Sequence, residues 1–368
     1  MSTIIKLSNR RCTKQMDALF SSQQINQKIP FHPKSLLRVS CLGDSITAGN
    51  FNYPHASSVW YPTHANHLLA ENPKVTKACG NNIFIPENAL LQGDASLAAG
   101  KFTLVSNSAN LPSGILMNPK ELLPVDERLY LLTAELDVIL SPGGHLALMV
   151  YGTDSKGQII DNSLQWAGGF DTDSHGYVKL SYVFSPSFIA SLDPAVIKVG
   201  IGVMLRSDGQ MSTGQVHNIQ LYELAKGIAV HNQGVSYTTV AEGLKTIDKV
   251  IKWNPDICII AYGTNDIRNG ITLENYWTDL RCIVDILQEN QIFPVIATLP
   301  PLGDDQVNYN KVPEWNEFIT SSAHELGIGL WDRWQAFDNG DVAFIEDGRH
   351  PTKQGYLRLG EDVLRFFI

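Results

Sequence analysis

The sequence predicts an α/β fold, in which a parallel sheet is covered by helices on both faces and is interrupted by an all-β sandwich domain. Near both ends of the chain, apolar runs typical of buried strands alternate with segments of helical periodicity. The middle of the chain instead alternates apolar and polar residues in steps of two, as antiparallel strands do. The length of 368 residues exceeds what one core usually holds, so two domains are expected.

These patterns divide the chain into three parts. Residues 1–33 are polar and mixed, and we interpret them as a leader or a connection to something else. Residues 34–78 and 226–368 are predicted to form the α/β domain in two pieces. Residues 79–225 are predicted to form a sandwich inserted between those pieces, and their number suits one domain.

The first strand of the α/β domain runs into a polar loop. The apolar run 36–42 stops at Gly43, and Ser45 follows where the strand ends. Open α/β sheets place their ligands at this end of a strand. A polar loop is predicted over 50–58, and a helix over 59–71 that ends before a proline.

The inserted sandwich shows its alternation most clearly over 130–140, 178–184 and 197–205. Turn residues separate these segments, and no helical period of any length is evident, which favours antiparallel strands in a sandwich. Its first and last strands, 88–94 and 219–223, loosely resemble those of a carbohydrate-binding jelly-roll module.

The α/β pattern resumes at Gly227. Further strands are predicted at 227–231, 256–262, 293–299 and 328–331. Helical spacing is evident over 240–251 and 276–287, another helix is predicted from Pro313 to Leu326, and a last one runs to Phe367.

Composition excludes several classes of function. The net charge is −9 without a basic cluster, which disfavours binding to nucleic acid or to an anionic membrane. No apolar run approaches the roughly 18 residues of a membrane span. The first residues lack the apolar centre of a signal peptide, so we expect a soluble protein that is cytoplasmic, or part of a virion tail if it comes from a phage. The five cysteines show neither Cys-x-x-Cys spacing nor a disulfide framework.

Four polar stretches carry a resemblance to a known family. They are Gly43-Asp-Ser45, His231-Asn-Gln-Gly234, Gly263-Thr-Asn-Asp266 and Asp347-Gly-Arg-His350-Pro351. In this order they resemble the sequence blocks of the SGNH (GDSL-type) hydrolases over residues 34–78 and 226–368. The resemblance implies a flavodoxin-like three-layer α/β/α fold with strand order 2-1-3-4-5. It also implies a serine esterase that needs no metal or cofactor.

The chemistry of an esterase gives each of these side chains a role. The Ser45 hydroxyl is a poor nucleophile and needs a base, for which His350 is the candidate. Asp347, three residues earlier, can orient the imidazole and stabilise its charged form. The resemblance suggests that the backbone N–H groups of Ser45 and Gly234 and the Asn265 amide stabilise the oxyanion.

Other polar residues allow two interpretations. Asp44 and Asp266 are expected to fasten loops by hydrogen bonds. Asn308 and Tyr309, in a predicted loop over 300–311, are expected to contact substrate. Trp166, Phe170 and Tyr177 could stack on sugar rings or pack in the sandwich core, and for Trp166 both are open. His55, His64 and His67 lack acidic or cysteine partners at the spacing of a metal site, so solvated or loop positions are favoured. Asp154, Asp161, Asp171 and Asp173 could ligate calcium in the insert, but turn aspartates explain them equally well and are favoured.

The sequence therefore predicts a carbohydrate O-acetylesterase that acts on an acetylated polysaccharide through an acyl-Ser45 intermediate, as a phage tail component in one interpretation. The glycan is the only partner we predict, and oligomerisation is left open. A lipase or thioesterase, with the insert as a lid or an oligomer contact, is the first alternative, although the loops over 50–58 and 300–311 are polar. A glycan-binding protein without catalytic activity is the second.

Overall fold

A computed structural model describes residues 36–49, 60–107, 112–142, 144–170, 175–207, 209–303 and 306–367. The predicted leader, the predicted loop over 50–58, His55, Asp171 and Asp173 lie outside the described residues.

Sixteen strands are described: β1 Leu36–Gly43, β2 Lys77–Cys79, β3 Leu90–Gln92, β4 Ser96–Ala98, β5 Lys101–Ser106, β6 Ser113–Leu116, β7 Leu123–Pro124, β8 Tyr130–Ile139, β9 His145–Thr153, β10 Ile159–Phe170, β11 His175–Phe184, β12 Lys198–Arg206, β13 Ser212–Asn232, β14 Ile257–Ala261, β15 Phe293–Ala297 and β16 Gly329–Trp331.

Ten α-helices are described: α1 Ser45–Ala48, α2 Tyr61–Glu71, α3 Pro186–Leu192, α4 Val240–Lys245, α5 Ile247–Trp253, α6 Thr264–Arg268, α7 Leu273–Glu289, α8 Gln306–Leu326, α9 Arg333–Ala336 and α10 Lys353–Val363. Three short 3₁₀ helices are Pro86–Asn88, Val342–Phe344 and Leu364–Phe366.

The α/β half of the chain is built on a parallel sheet in the order β13-β1-β14-β15-β16. Helices α2 and α10 cover one face of this sheet with apolar side chains, and α4, α5, α7 and α8 cover the other. Because successive side chains of a strand point to opposite faces, Cys41 packs with the first group and Leu42 with the second. The predicted three-layer fold and its strand order are confirmed.

The insert consists of two antiparallel sheets with one apolar core between them. One sheet has the order β4-β5-β13-β8-β11, and the other has the order β10-β9-β12-β6-β3 with β7 beside β12. Side chains of both sheets, such as Leu136 from β8 and Val203 from β12, belong to the same buried cluster. The predicted alternating segments correspond to β8, β11 and β12. The jelly-roll type of this sandwich stays a prediction.

The two parts of the molecule share a strand. β13 first pairs antiparallel with β8 and β5 in the sandwich, and its last residues then pair parallel with β1. The predicted boundary between residues 225 and 226 falls inside this strand, beside a register shift between Leu224 and Lys226. The chain enters the insert along β2, which pairs with β13 at Cys79 and Glu223. Entry and exit of the insert are therefore neighbouring strands, without a linker at the exit.

A buried asparagine fastens the insert to the sheet. Asn66 of α2 is fully buried, and its Nδ2 donates to the carbonyl oxygens of Val183 at 2.8 Å and Val230 at 3.0 Å. The Val183 N–H donates to Asn66 Oδ1 at 2.7 Å. One side chain thus joins α2, the sandwich strand β11 and the edge strand β13 of the parallel sheet.

A buried histidine forms a second junction. The His231 ring stacks on Phe188 of α3 with centroids 3.9 Å apart and meets the edge of Trp253. Its Nε2 accepts from the Ser185 N–H at 3.3 Å, and its Nδ1 lies 3.2 Å from the Tyr182 hydroxyl. Burial lowers the pKa of His231 to about 3, so this ring is neutral and serves packing.

Three helix predictions were wrong in detail. Helix α8 begins at Gln306 rather than at Pro313, so Pro313 lies inside the helix. Val312 is fully buried, and its burial favours the extra helical turns. The segment 240–251 forms two helices, α4 and α5, on either side of Thr246. Helix α3 in the insert was not predicted, since a helix of seven residues is too short to display a period.

Candidate active site

The four sequence blocks meet at one edge of the parallel sheet. β1, β13 and β14 are neighbours and run in the same direction, so the residues that follow them lie side by side. Ser45, Gly234 and Asn265 come from those three strand ends. The loop before α10 supplies His350 to the same edge, 305 residues after Ser45. The large insert therefore does not separate the serine from the histidine in space.

Ser45, His350 and Asp347 form a hydrogen-bonded triad. The Ser45 Oγ lies 2.8 Å from His350 Nε2, and His350 Nδ1 lies 2.7 Å from Asp347 Oδ2. With the ring proton on Nδ1, the imidazole donates to Asp347 and accepts the Ser45 hydroxyl hydrogen. Ser45 is 7% exposed and His350 is 4% exposed, so both groups are largely shielded from water.

The turn that carries Asp347 builds the acid–base pair locally. Asp347 Oδ1 accepts the N–H groups of Arg349 at 3.1 Å and of His350 at 2.7 Å. These bonds are typical of an aspartate turn. The other carboxylate oxygen is thereby directed at the His350 ring. One carboxylate fixes both the backbone and the imidazole.

A short helix presents the Ser45 hydroxyl. Asp44 caps α1, and its Oδ1 accepts the Ile46 N–H at 2.9 Å. Glycine is required at position 43, since a Cβ there would meet Thr47 Oγ1 at 2.1 Å and the Ala261 oxygen at 2.8 Å. The tight passage from β1 into α1 holds Ser45 at the sheet edge.

Gly234 packs directly on the nucleophile helix. A Cβ at this position would lie 2.2 Å from the Ala48 nitrogen, so only glycine fits without a shift of the backbone. Its own N–H donates to Asn232 Oδ1 at 2.9 Å, and Asn232 Nδ2 donates to the Ala48 oxygen at 3.1 Å. The sequence analysis did not identify Asn232 as the clamp between β13 and α1. The sequence pattern that could have indicated this role is an asparagine two residues before a glycine, because an asparagine side chain often accepts the backbone N–H two residues later.

One of the two amide hydrogens of Asn265 is used in a hydrogen bond to the backbone. Asn265 lies in α6, directly after β14, and is 9% exposed. Its Nδ2 donates to the Thr238 carbonyl oxygen at 2.9 Å. Since a primary amide carries two hydrogens, the second remains for another acceptor.

Asp44 and Asp266 fasten loops, as predicted. Asp266 accepts the Val240 N–H at 3.1 Å and thereby ties α6 to the start of α4. Burial raises the pKa of Asp266 to about 7, against the effect of that hydrogen bond. Burial also raises the pKa of Asp44, and the positive charge of Arg333 opposes this shift.

Arg333 was missed by the sequence analysis. It is fully buried at the start of α9, and its Nε donates to the Thr298 carbonyl oxygen at 2.6 Å. Burial lowers the pKa of Arg333, and the charge of Asp44 raises it. Among the described residues, neither Arg333 Nη atom nor Asp44 Oδ2 has a hydrogen-bond partner. An arginine beside a tryptophan gave no pattern by which this position could be found.

The weaker candidates lie in α8, in β10 and in a turn of the insert. Asn308 and Tyr309 stand in the first turns of α8 and not in a loop, and the Tyr309 ring is 6.0 Å from that of Trp334. Trp166 is half-buried and packs against the cores of both the insert and the α/β domain. Asp154 Oδ1 accepts the N–H groups of Lys156 and Gln158, which confirms it as a turn aspartate.

The described residues contain neither a metal-binding cluster nor a helix that could span a membrane. No group of three or more His, Cys, Asp or Glu side chains in that part of the chain could hold a metal ion. Among the described helices, none has both the length and the apolar character needed to cross a membrane. The described cysteines, Cys41, Cys79, Cys258 and Cys282, are free thiols.

The fold and site define a class: a doubly wound α/β/α domain with a Ser–His–Asp triad at the carboxyl edge of its sheet. Residues 209–358 match the sequence model of the GDSL-like lipase/acylhydrolase family. These residues are therefore similar to a domain of this family. The match includes Gly234, Asn265, Asp347 and His350. Ser45 precedes the insert and lies outside the matched residues.

The chain also resembles individual proteins. A multidomain esterase of Ruminococcus flavefaciens is 29% identical over 134 residues, which are 33% of this chain and 17% of that protein. The chain thus spans less than a fifth of this relative's length. A GDSL-like lipase from Bacteroides thetaiotaomicron is 20% identical and covers 36% of this chain and 71% of its own, with a TM-score of 0.33. An acetylxylan esterase from Geobacillus stearothermophilus is 25% identical and covers 38% of this chain and 73% of its own, with a TM-score of 0.35.

Proposed function

We propose that this protein hydrolyses carboxylic esters through an acyl-Ser45 intermediate. The observation that carries the proposal is the pair of hydrogen bonds, 2.8 Å and 2.7 Å long, that joins Ser45 through His350 to Asp347. A serine hydroxyl in contact with an oriented imidazole is the arrangement that activates a nucleophile.

The reaction follows from the positions of these groups. His350 Nε2 takes the Ser45 proton as Oγ bonds to the ester carbonyl carbon, and Asp347 stabilises the imidazolium. The tetrahedral intermediate then expels the alcohol, which receives that proton. Water attacks the acyl-Ser45 carbonyl and gives its proton to His350. Collapse releases the carboxylic acid and returns the proton to Ser45.

The oxyanion requires fixed donors near Ser45. The Ser45 N–H at the start of α1 and the second amide hydrogen of Asn265 fit this role. In this structure the Gly234 N–H donates to Asn232 Oδ1. It can act as a third oxyanion donor only when it turns from Asn232 toward the substrate. The site needs no metal or cofactor for any of these steps.

The substrate that we propose is an O-acetylated glycan. The insert is held rigidly beside α2 and β13 by Asn66 and His231, which makes it a fixed neighbour of the catalytic sheet rather than a hinged lid. A surface fixed in this way can orient a polymer toward the serine and raise its local concentration. Placement of the protein on a phage tail stays a prediction.

Hydrolysis of longer acyl esters is a second candidate. Val235, directly after Gly234, is 50% exposed, and Val342, close to Gly303 and Gly348 at the same edge, is 44% exposed. Exposed apolar side chains near a catalytic serine suit an acyl chain.

The test is hydrolysis of p-nitrophenyl acetate by the purified protein and by Ser45→Ala. We expect activity that falls at least about 10³-fold in the variant. Ser96→Ala, an exposed serine of the insert, is the matched control and should remain active. Absence of activity in the unmodified protein would leave a glycan-binding role without catalysis.

Two further measurements address the substrate. Faster hydrolysis of p-nitrophenyl acetate than of the octanoate supports the acetyl preference, and the reverse order supports the second candidate. Acetate released from a panel of acetylated polysaccharides then identifies the glycan.

A further inference from the structure

The segment that follows Gly234 forms a rigid turn at the rim of the site. The Val235 N–H donates to the Gly43 carbonyl oxygen at 2.9 Å, which fastens the turn to the end of β1. On its other side, the Thr238 carbonyl oxygen accepts from Asn265 at 2.9 Å. The Thr238 hydroxyl donates to the Val235 oxygen at 2.7 Å and closes the turn. The backbone of 235–238 is therefore anchored to the strand end before Ser45 and to Asn265.

Tyr237 stands at the tip of this turn. Its side chain is 70% exposed, the largest exposed fraction among the large apolar and aromatic side chains of the described residues. Its φ is 67°, in the left-handed region that favours glycine or asparagine. Neither feature helps folding, because an exposed aromatic ring loses contact with the core and the backbone carries strain. Residues in strained conformations that the surrounding structure enforces cluster at functional sites.

We infer that Tyr237 is a specificity residue whose ring packs against a sugar ring of the alcohol part of the ester. The aromatic face offers a flat apolar surface that matches the apolar face of a pyranose, and the hydroxyl remains available for a hydrogen bond. The anchored backbone holds Tyr237 in the turn that begins after Gly234 and whose Thr238 carbonyl oxygen accepts from Asn265. This inference rests on the proposed esterase function and names the group that recognises the sugar.

The experiment compares two substrates with the same acyl group. Chemically O-acetylated xylo- and cello-oligosaccharides present sugar rings, and ethyl acetate presents none. For Tyr237→Ala, we expect kcat/KM on the acetylated oligosaccharides to fall about tenfold, mostly through KM, with no change on ethyl acetate. Tyr237→Phe should retain most of the activity on both substrates, since it keeps the ring.

Tyr237→Gly separates recognition from folding. Glycine adopts a positive φ without strain, so this variant should unfold at the same or a higher temperature while losing the oligosaccharide activity to the same extent as alanine. Leu36→Ala, which removes a 37% exposed side chain from the amino end of β1, opposite the edge that carries Ser45, is the control and should leave both activities unchanged.

The outcomes separate two failures. If the unmodified protein hydrolyses no ester, ethyl acetate and p-nitrophenyl acetate included, the proposed function is wrong. If it hydrolyses them and Tyr237→Ala lowers kcat/KM equally for both substrates, or for neither, only the role of Tyr237 is wrong. A loss confined to p-nitrophenyl octanoate would place an acyl chain, and not a sugar, against Tyr237 and would also overturn the inference.

Discussion

At the scale of single residues, Asn265 has one role that the structure shows and one that we propose. One amide hydrogen donates to the Thr238 carbonyl oxygen at 2.9 Å, and we propose that the other donates to the oxyanion. We predict that Asn265→Ala lowers kcat about 10²-fold, because loss of one oxyanion donor typically raises the barrier by roughly 3 kcal/mol. Steady-state kinetics with p-nitrophenyl acetate measure this effect.

The control for Asn265 is Asn269→Ala, an exposed asparagine that follows the same short helix. It should leave kcat unchanged. An Asn265→Ala variant with normal kcat and only a lower Tm would show that the amide serves the turn alone.

Asp266 should make stability depend on pH. Its pKa is raised to about 7 by burial. Between about pH 4 and pH 7 the folded protein then holds a proton on this carboxyl that the unfolded chain has released, so its contribution to stability falls as pH rises. Asp266→Asn removes this titration and keeps an acceptor for the Val240 N–H.

We therefore expect the stability of Asp266→Asn relative to the unmodified protein to increase from pH 4 to pH 7, by up to roughly 4 kcal/mol, and then to level off. Urea unfolding at several pH values measures this difference. A constant difference over the range would show that Asp266 titrates near its ordinary value.

The residues of the site differ in how well the sequence identifies them. Ser45, Gly234 and Asn265 stand in short motifs after predicted strands, and the parallel sheet brings those strand ends together. His350 stands in a motif of a loop near the C-terminus. Arg333 belongs to no motif. Arg333 follows β16 and is buried near Asp44, which follows β1, and the strands β14 and β15 lie between them in the sheet. Only the folded structure brings these two residues together.

At the scale of elements, the strands were predicted better than their connections. Continuous apolar runs identified β1, β14 and β15, and strict alternation identified β8 and β12. The continuity of β13 was not predicted, because a register shift near Lys226 breaks the alternation just where the antiparallel sheet gives way to the parallel one. A local pattern also cannot show that Pro313 lies inside α8, since the fully buried Val312 favours that geometry through contacts distant in sequence.

The junction between α2, β11 and β13 gives a prediction at this scale. Asn66→Ala leaves the N–H and oxygen of Val183 and the oxygen of Val230 buried without this partner. We expect a loss of roughly 3 kcal/mol or more in the free energy of unfolding. Urea unfolding followed by tryptophan fluorescence measures it.

Asn275→Ala on the exposed surface of α7 is the matched control and should change stability by less than about 0.5 kcal/mol. If both variants lose the same small amount, Asn66 does not fasten the insert to the sheet.

At the scale of the whole molecule, the insert and the α/β domain are predicted to unfold together. An inserted domain on flexible linkers would keep its own transition. Here β13 runs through both sheets, the entry strand β2 pairs with its middle, and His231 is buried between α3 and α5. Melting either part would remove hydrogen-bond partners and apolar cover from the other.

Scanning calorimetry should therefore show one transition whose calorimetric and van't Hoff enthalpies agree. Esterase activity and tryptophan fluorescence should be lost at the same urea concentration, because the strand that ends at Asn232, two residues before Gly234, begins in the sandwich. Asn66→Ala weakens the coupling and should lower the agreement between the two enthalpies. Two separate transitions in the unmodified protein, with activity outlasting the first, would mean that β13 transmits no stability from the insert to the catalytic edge.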